Sequence, residues 1–110
     1  MIKISMLYPF SENARFDIEY YVNTHAPMAR KLLGTALKGF EIEHGLSGLE
    51  PDSTPAYIAV AHPYVESLDE FKVAYGRNVE AIQGDIPNYT DIPSIRQVSH
   101  VACSNVPNVQ

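Results

Sequence analysis

Hydrophobic and polar positions alternate from the second residue: Ile2, Ile4, Met6 and Tyr8 fall on one parity, Lys3, Ser5 and Leu7 on the other. A period of two sends successive side chains to opposite faces, so Ile2–Tyr8 reads as a strand that Pro9 ends. The period then changes. Ile18, Tyr21, Val22, His25, Met28, Ala29, Leu32 and Leu33 recur at steps of three and four, which gives a helix one apolar face. The Asp17 carboxylate is placed to cap its first turn, and Gly34 is placed to stop it. Pro27 lies inside this helix without an N–H, and its ring collides with the carbonyl of Asn23, so a local break beside His25 is expected.

Leu37–Gly45 alternates again and reads as a second strand. Gly45, Gly48, Pro51, Asp52, Ser53 and Pro55 then supply the turn chemistry of a long connection. Tyr57–Tyr64 is dense enough in apolar residues for a central strand. Ser67-Leu68-Asp69-Glu70 has the spacing of a capping box, and Leu68, Phe71, Tyr75, Val79 and Ile82 behind it mark a second helix, stopped by Gly84. Ile95–Val101 is the last strand. The order β-α-β-β-α-β defines an α+β protein in which right-handed crossovers put both helices on one face of a four-stranded antiparallel sheet, the ferredoxin-like arrangement. The opposite face is left bare, and with Ile, Val, Phe and Tyr in the strands it is expected to be apolar. Packing two such faces together covers them, which predicts a homodimer closed into an α/β barrel.

A length of 110 residues supports one core, hence a single domain over 1–110, with a polar tail from about residue 103. Thirteen acidic residues against eight basic ones leave no basic footprint, so neither nucleic acid nor an anionic membrane surface is an expected partner. No run approaches the roughly 20 apolar residues of a membrane span, and the first residues lack the apolar core of a signal peptide. A single cysteine, Cys103, precludes an internal disulfide, and a cytoplasmic protein is expected. The four histidines fall on four different elements without HxH, HxxxH or His-x-x-Glu spacing, so no metal is expected. The absence of a Gly-rich phosphate loop and of Gly-x-Ser-x-Gly leaves nucleotide binding and serine hydrolysis unmotivated, and no cofactor is expected.

His25 is the first candidate for chemistry. It stands two residues before the helix-breaking proline, where a kink turns its ring off the regular helix surface, and imidazole suits proton transfer near neutral pH. The same residue could equally hold the kink by bonding a neighbouring loop. Tyr21 shares its helix face four residues earlier and is placed either to orient a ligand or simply to pack. His62 interrupts an apolar strand. If small Ala59 and Ala61 face the helices, His62 faces the barrel side, as a satisfied core group or a cavity-lining one. The loop Asp85–Asp91 either satisfies its own backbone or offers Asn88 and Tyr89 to a pocket rim near His25.

Tyr20-Tyr21-Val22-Asn23-Thr24-His25-Ala26-Pro27, Gly34 with Leu37-Lys38-Gly39, Tyr57–His62 and Asp85-Ile86-Pro87-Asn88-Tyr89-Thr90-Asp91, taken in this order, resemble the EthD-like family of the dimeric α/β-barrel superfamily. The resemblance implies a ferredoxin-like dimer with a small-molecule pocket, associated with degradative or secondary-metabolite oxidation, and it places His25 in the family's hallmark motif. The expectation is a cofactor-independent oxidoreductase or isomerase. It would act by proton transfer on a small aromatic, polyketide-like or lactone substrate, with His25 catalytic and Tyr21, His62, Asn88 and Tyr89 binding the substrate. The alternative is a non-catalytic binding or accessory protein using the same pocket for a small apolar or aromatic ligand.

Overall fold

The computed structural model describes residues 1–106. The first strand, β1, spans Ile2–Pro9. Helix α1 (Ile18–Tyr20) passes through a π turn at Tyr21–His25 into α2 (Ala26–Leu33), and a 3-10 turn follows at Gly34–Ala36. Strands β2 (Gly39–His44) and β3 (Tyr57–Val65) precede α3 (Leu68–Arg77) and α4 (Val79–Gly84). A 3-10 turn at Ile86–Asn88 leads to β4 (Ile95–His100). The helix starts form where the side chains predict: Asp17 accepts from the Tyr20 N–H, and the Ser67 hydroxyl accepts from the Glu70 N–H at 3.1 Å. Gly34 leaves α2 at φ +57°, a conformation that its missing Cβ makes cheap.

The four strands are all antiparallel in the order β2-β3-β1-β4, the ferredoxin-like topology. Register decides which side chains share a face. Met6 pairs with Ala61 and Arg96, and Phe40 with Pro63, and these residues face the helices. Ala59 and Ala61 are fully buried there, as their small size predicts, because they let the helices approach the sheet. One core cluster gathers Ile4, Ala29, Leu33, Val65, Phe71 and Ile82. A second gathers Tyr8, Tyr21, Ala59, Ala61, Tyr89 and Ile92.

Three expectations need correction. Val79–Gly84 does not continue the preceding helix: the chain turns at Asn78, whose side-chain amide donates to the carbonyls of Ala74 and Leu32 and so ties the break to α2. Asn competes well for backbone groups, which makes it a natural interruption. The open sheet face is not uniformly apolar either. Leu7, Val60 and Ile95 lie at one end, but Glu41, Glu43, His62, Tyr64, Lys3, Ser5 and Gln97 occupy the rest, while Phe40 points the other way. The helix around Pro27, finally, is not broken but widened.

Candidate functional site

The widening is the origin of the site. Pro27 brings no N–H, and the N–H of Ala26 bonds to the carbonyl of Tyr21, five residues back instead of four. One extra residue is thereby accommodated without losing the helix. It turns Val22 to solvent at 43% exposure and leaves Tyr21 and His25, both nearly fully buried, aimed inward together. Their rings stack with 5.4 Å between centroids and 16° between planes.

His25 then meets Asp85 at the end of α4. Its Nδ1 lies 2.9 Å from Oδ2 of Asp85. The other carboxylate oxygen accepts from the Tyr20 hydroxyl at 2.6 Å and from the Asn88 side-chain amide at 2.9 Å. Burial pushes the Asp85 carboxyl up, but the hydrogen bonds from Tyr20, Asn88 and His25 outweigh it and hold it below the ordinary carboxylate value. An ionised carboxylate only accepts, so the proton between the two residues sits on Nδ1 and the neutral ring carries its lone pair on Nε2. Nε2 has no hydrogen-bond partner among the described residues, and no fully buried side-chain nitrogen or oxygen lacks one. Nε2 is therefore an accessible acceptor.

His25 also lines a cavity. Between sheet and helices lies a narrow, mainly apolar cavity of about 40 Å³, lined by His25 together with Met6, Tyr8, Tyr21, Phe71 and Tyr89. A single water needs roughly 10–15 Å³ of such space, so the closed part admits a few heavy atoms, and a ring would have to extend into the mouth. Four tyrosines border it: Tyr8, Tyr21, Tyr75 and Tyr89. The Tyr8 and Tyr89 hydroxyls are 3.2 Å apart, and the Tyr89 ring packs on both Tyr21 and His25 at centroid distances of 4.6 and 4.7 Å. Burial, reinforced by the Tyr8 hydroxyl, drives the Tyr21 and Tyr89 phenols far above their usual range, so both are neutral donors. The arrangement offers one base, neutral phenolic donors and an apolar wall.

Of the residues singled out in the sequence, His25, Tyr21 and Tyr89 come together at this cavity. Asn88 does not line it; it supports Asp85 from the solvent side. His62 lies on the opposite face of the sheet. Its Nδ1 is 3.3 Å from the Ser5 hydroxyl and its Nε2 3.1 Å from Glu43. Its place in the site around His25 is thus lost, although the strand parity behind it is as expected. Asp85, Tyr20 and Tyr8, which stand around His25 and its cavity, are not singled out by local sequence pattern. Asp85 lies 60 positions from His25, and only its place in the Asp85–Asp91 run hinted at a role. No group of three or more His, Cys, Asp or Glu among the described residues is placed to hold a metal ion.

The fold is that of a ferredoxin-like α+β protein, with a histidine–aspartate pair joining the first helical segment to the end of α4. The EthD domain family matches residues 13–93, and the chain belongs to it. An EthD-like protein from Ralstonia eutropha is 36% identical over 97% of this chain and 96% of its own, with a TM-score of 0.93. An ethyl tert-butyl ether degradation (EthD) family protein from Bacillus halodurans shares the fold at 18% identity and a TM-score of 0.61, covering 91% of this chain and 97% of that one. HapK from Hahella chejuensis does so at 11% identity and 0.55, covering 98% and 100%. No curated protein sequence matches the chain.

Proposed function

We propose that this EthD protein is a cofactor-independent enzyme that moves a proton on a small, mainly apolar substrate, with His25 as the general base. The observation that carries the reading is that His25 lines an apolar cavity with Nδ1 held by Asp85 and Nε2 without a partner among the described residues. A base fixed in one tautomer loses no time or energy finding the other, and the neighbouring carboxylate stabilises the imidazolium that forms when Nε2 takes a proton. The hydroxyls of Tyr8, Tyr21 and Tyr89 supply donors for a negative oxygen developing on the substrate. Return of the proton to another carbon completes an isomerisation. Capture of the carbanion by dioxygen as co-substrate would make the reaction an oxidation, with the substrate oxidised and dioxygen reduced. Aromatic, polyketide-like and lactone compounds all carry carbon acids activated in this way.

The active form in this reading is a homodimer joined through the open sheet faces. Leu7, Val60 and Ile95 form the apolar part of that face, and the β2–β3 connection carries two exposed leucines, Leu46 and Leu49.

The second reading, a binding or accessory protein, draws its support from the cavity's small size and from the lack of a second strong acid–base group in it. Nitrogen-15 NMR of the histidine side chains separates the readings before a substrate is known. A base poised as described has a protonated Nδ1 and an unprotonated Nε2 at pH 8. Finding the opposite tautomer on His25 would remove the catalytic reading.

A further inference from the structure

The cavity wall includes Phe71 and Tyr75 of α3 and Arg96 of β4, and Val98 on the helix-facing side of that edge strand is 51% exposed, so the entrance is assigned to the gap between α3 and β4. A shallow apolar channel there shares Met6, Phe71, Tyr75 and Arg96 with the cavity, and Lys72 lies on its rim. Neither the cavity nor the channel has a single Asp or Glu in its lining. In a chain of formal net charge −5, an entrance with two cations and no acid is a local reversal of sign. Arg96 pairs with Met6 across the strands, which sets its side chain on the helix face beside the cavity. Its Nε donates to the Ser94 hydroxyl at 3.3 Å, and it forms no salt bridge among the described residues, so its terminal nitrogens remain available.

We infer that Arg96 selects anionic substrates: small acids whose carboxylate sits on its guanidinium at the α3–β4 entrance while the apolar, proton-losing end reaches His25. The reach to His25 rests on the proposed function, whereas the carboxylate site at Arg96 rests on the entrance alone. A planar guanidinium takes a carboxylate through two parallel hydrogen bonds, and a fixed cation at a narrow mouth draws anions toward it. Lys72 adds to the field without the fork geometry. The small cavity and the need for an acidified carbon together favour a short keto acid.

Acetoacetate and its neutral isostere acetoacetamide make the test, titrated into the full-length protein at pH 7 with the His25 and Arg96 side-chain resonances followed by NMR. The acid should bind about three- to tenfold more tightly than the amide, with the preference shrinking as salt is added. Arg96→Gln should bring the ratio to near one, and Arg96→Lys should restore part of it. Circular dichroism should show Arg96→Gln melting with the wild type, since the side chain is exposed and contributes one long hydrogen bond. Equal binding of acid and amide, no binding of the acid at millimolar concentration, or a preference that survives Arg96→Gln would overturn the inference. Should both probes shift His25 without any preference, the base reading stands and the anion site falls. An Arg96-dependent preference that leaves His25 unmoved has the reverse meaning.

Discussion

The Nδ1 of His25 and the Oδ2 of Asp85 are joined at 2.9 Å across 60 positions of sequence, and this bond fastens the π turn to the end of α4. Asp85 is the acceptor for three donors on three different segments. Its hydrogen bonds therefore bear on stability as well as on the tautomer of the histidine.

Asp85→Asn should cost about 1–3 kcal/mol of folding free energy at pH 7, as expected for removing a charged acceptor from partly buried donors. The folded Asp85 carboxyl lies below the ordinary 3.8, so its contribution is present above that pH and is lost as pH falls through the folded value. Urea unfolding at pH 7 and again near pH 3 should show the variant and the wild type converging in acid. A gap that stays constant would contradict the role assigned to the ionised carboxylate.

His62 has the opposite surroundings. Burial, with help from Lys3, pushes its imidazole below 6.5 against the pull of Glu43 and Glu41. The neutral ring is satisfied on both sides, accepting from Ser5 at Nδ1 and donating to Glu43 from Nε2. A histidine depressed in the folded state contributes stability that is present above 6.5 and lost as pH falls through its folded value. Thermal melts between pH 8 and pH 5 should record that loss in the wild type and much less of it in His62→Gln.

Tyr89 is 1% exposed and wedged between Tyr8, Phe16, Tyr21 and His25. Tyr89→Phe removes only the hydroxyl contact to Tyr8 and should cost about 0.5–1.5 kcal/mol. Tyr89→Ala should cost roughly 3–5 kcal/mol, because it also leaves a ring-sized hole beside the cavity. Chemical denaturation ranks the two, and similar losses would mean that the ring does not pack as described.

Pairing through the open sheet face predicts twice the 12.2 kDa chain mass by light scattering at micromolar concentration. Val60→Lys, in the apolar part of that face, should shift the equilibrium toward the monomer. A wild-type protein of single-chain mass would end the dimer proposal.

How much of this was legible in the sequence depended on the range of the interaction. The strands, both helix starts and the Gly34 stop follow from periods and caps that act within a few residues, and they lie where the pattern puts them. The parity of β3 was readable from Ala59 and Ala61, because small residues announce a close helix. The break at Asn78 was not, since apolar spacing continues through it and its cause is a hydrogen bond to Leu32. The open face was misjudged because strand composition does not say which parity a Phe or a Glu takes until register is known. In the site, Pro27 announced a disturbance beside His25. Nothing local could announce Asp85, Tyr20 or Tyr8, which reach His25 and its cavity through tertiary contact.

The π turn also makes the length of the first helix a variable in its own right. Between Asp17 and Gly34 the chain holds one residue more than an unbroken ladder requires. Deleting Val22, whose side chain is exposed, would leave regular helix on both sides of the join. Because the wide turn absorbs that surplus residue, the segments on either side would keep their relation, and the change would fall on Tyr21 and His25, which would stand three residues apart instead of four. The stacking of their two rings, and with it the setting of His25 against Asp85, would be lost while the backbone hydrogen bonding improved. Helical regularity and site geometry are thus set against each other here, and a shortened chain should be the better helix and the poorer pocket.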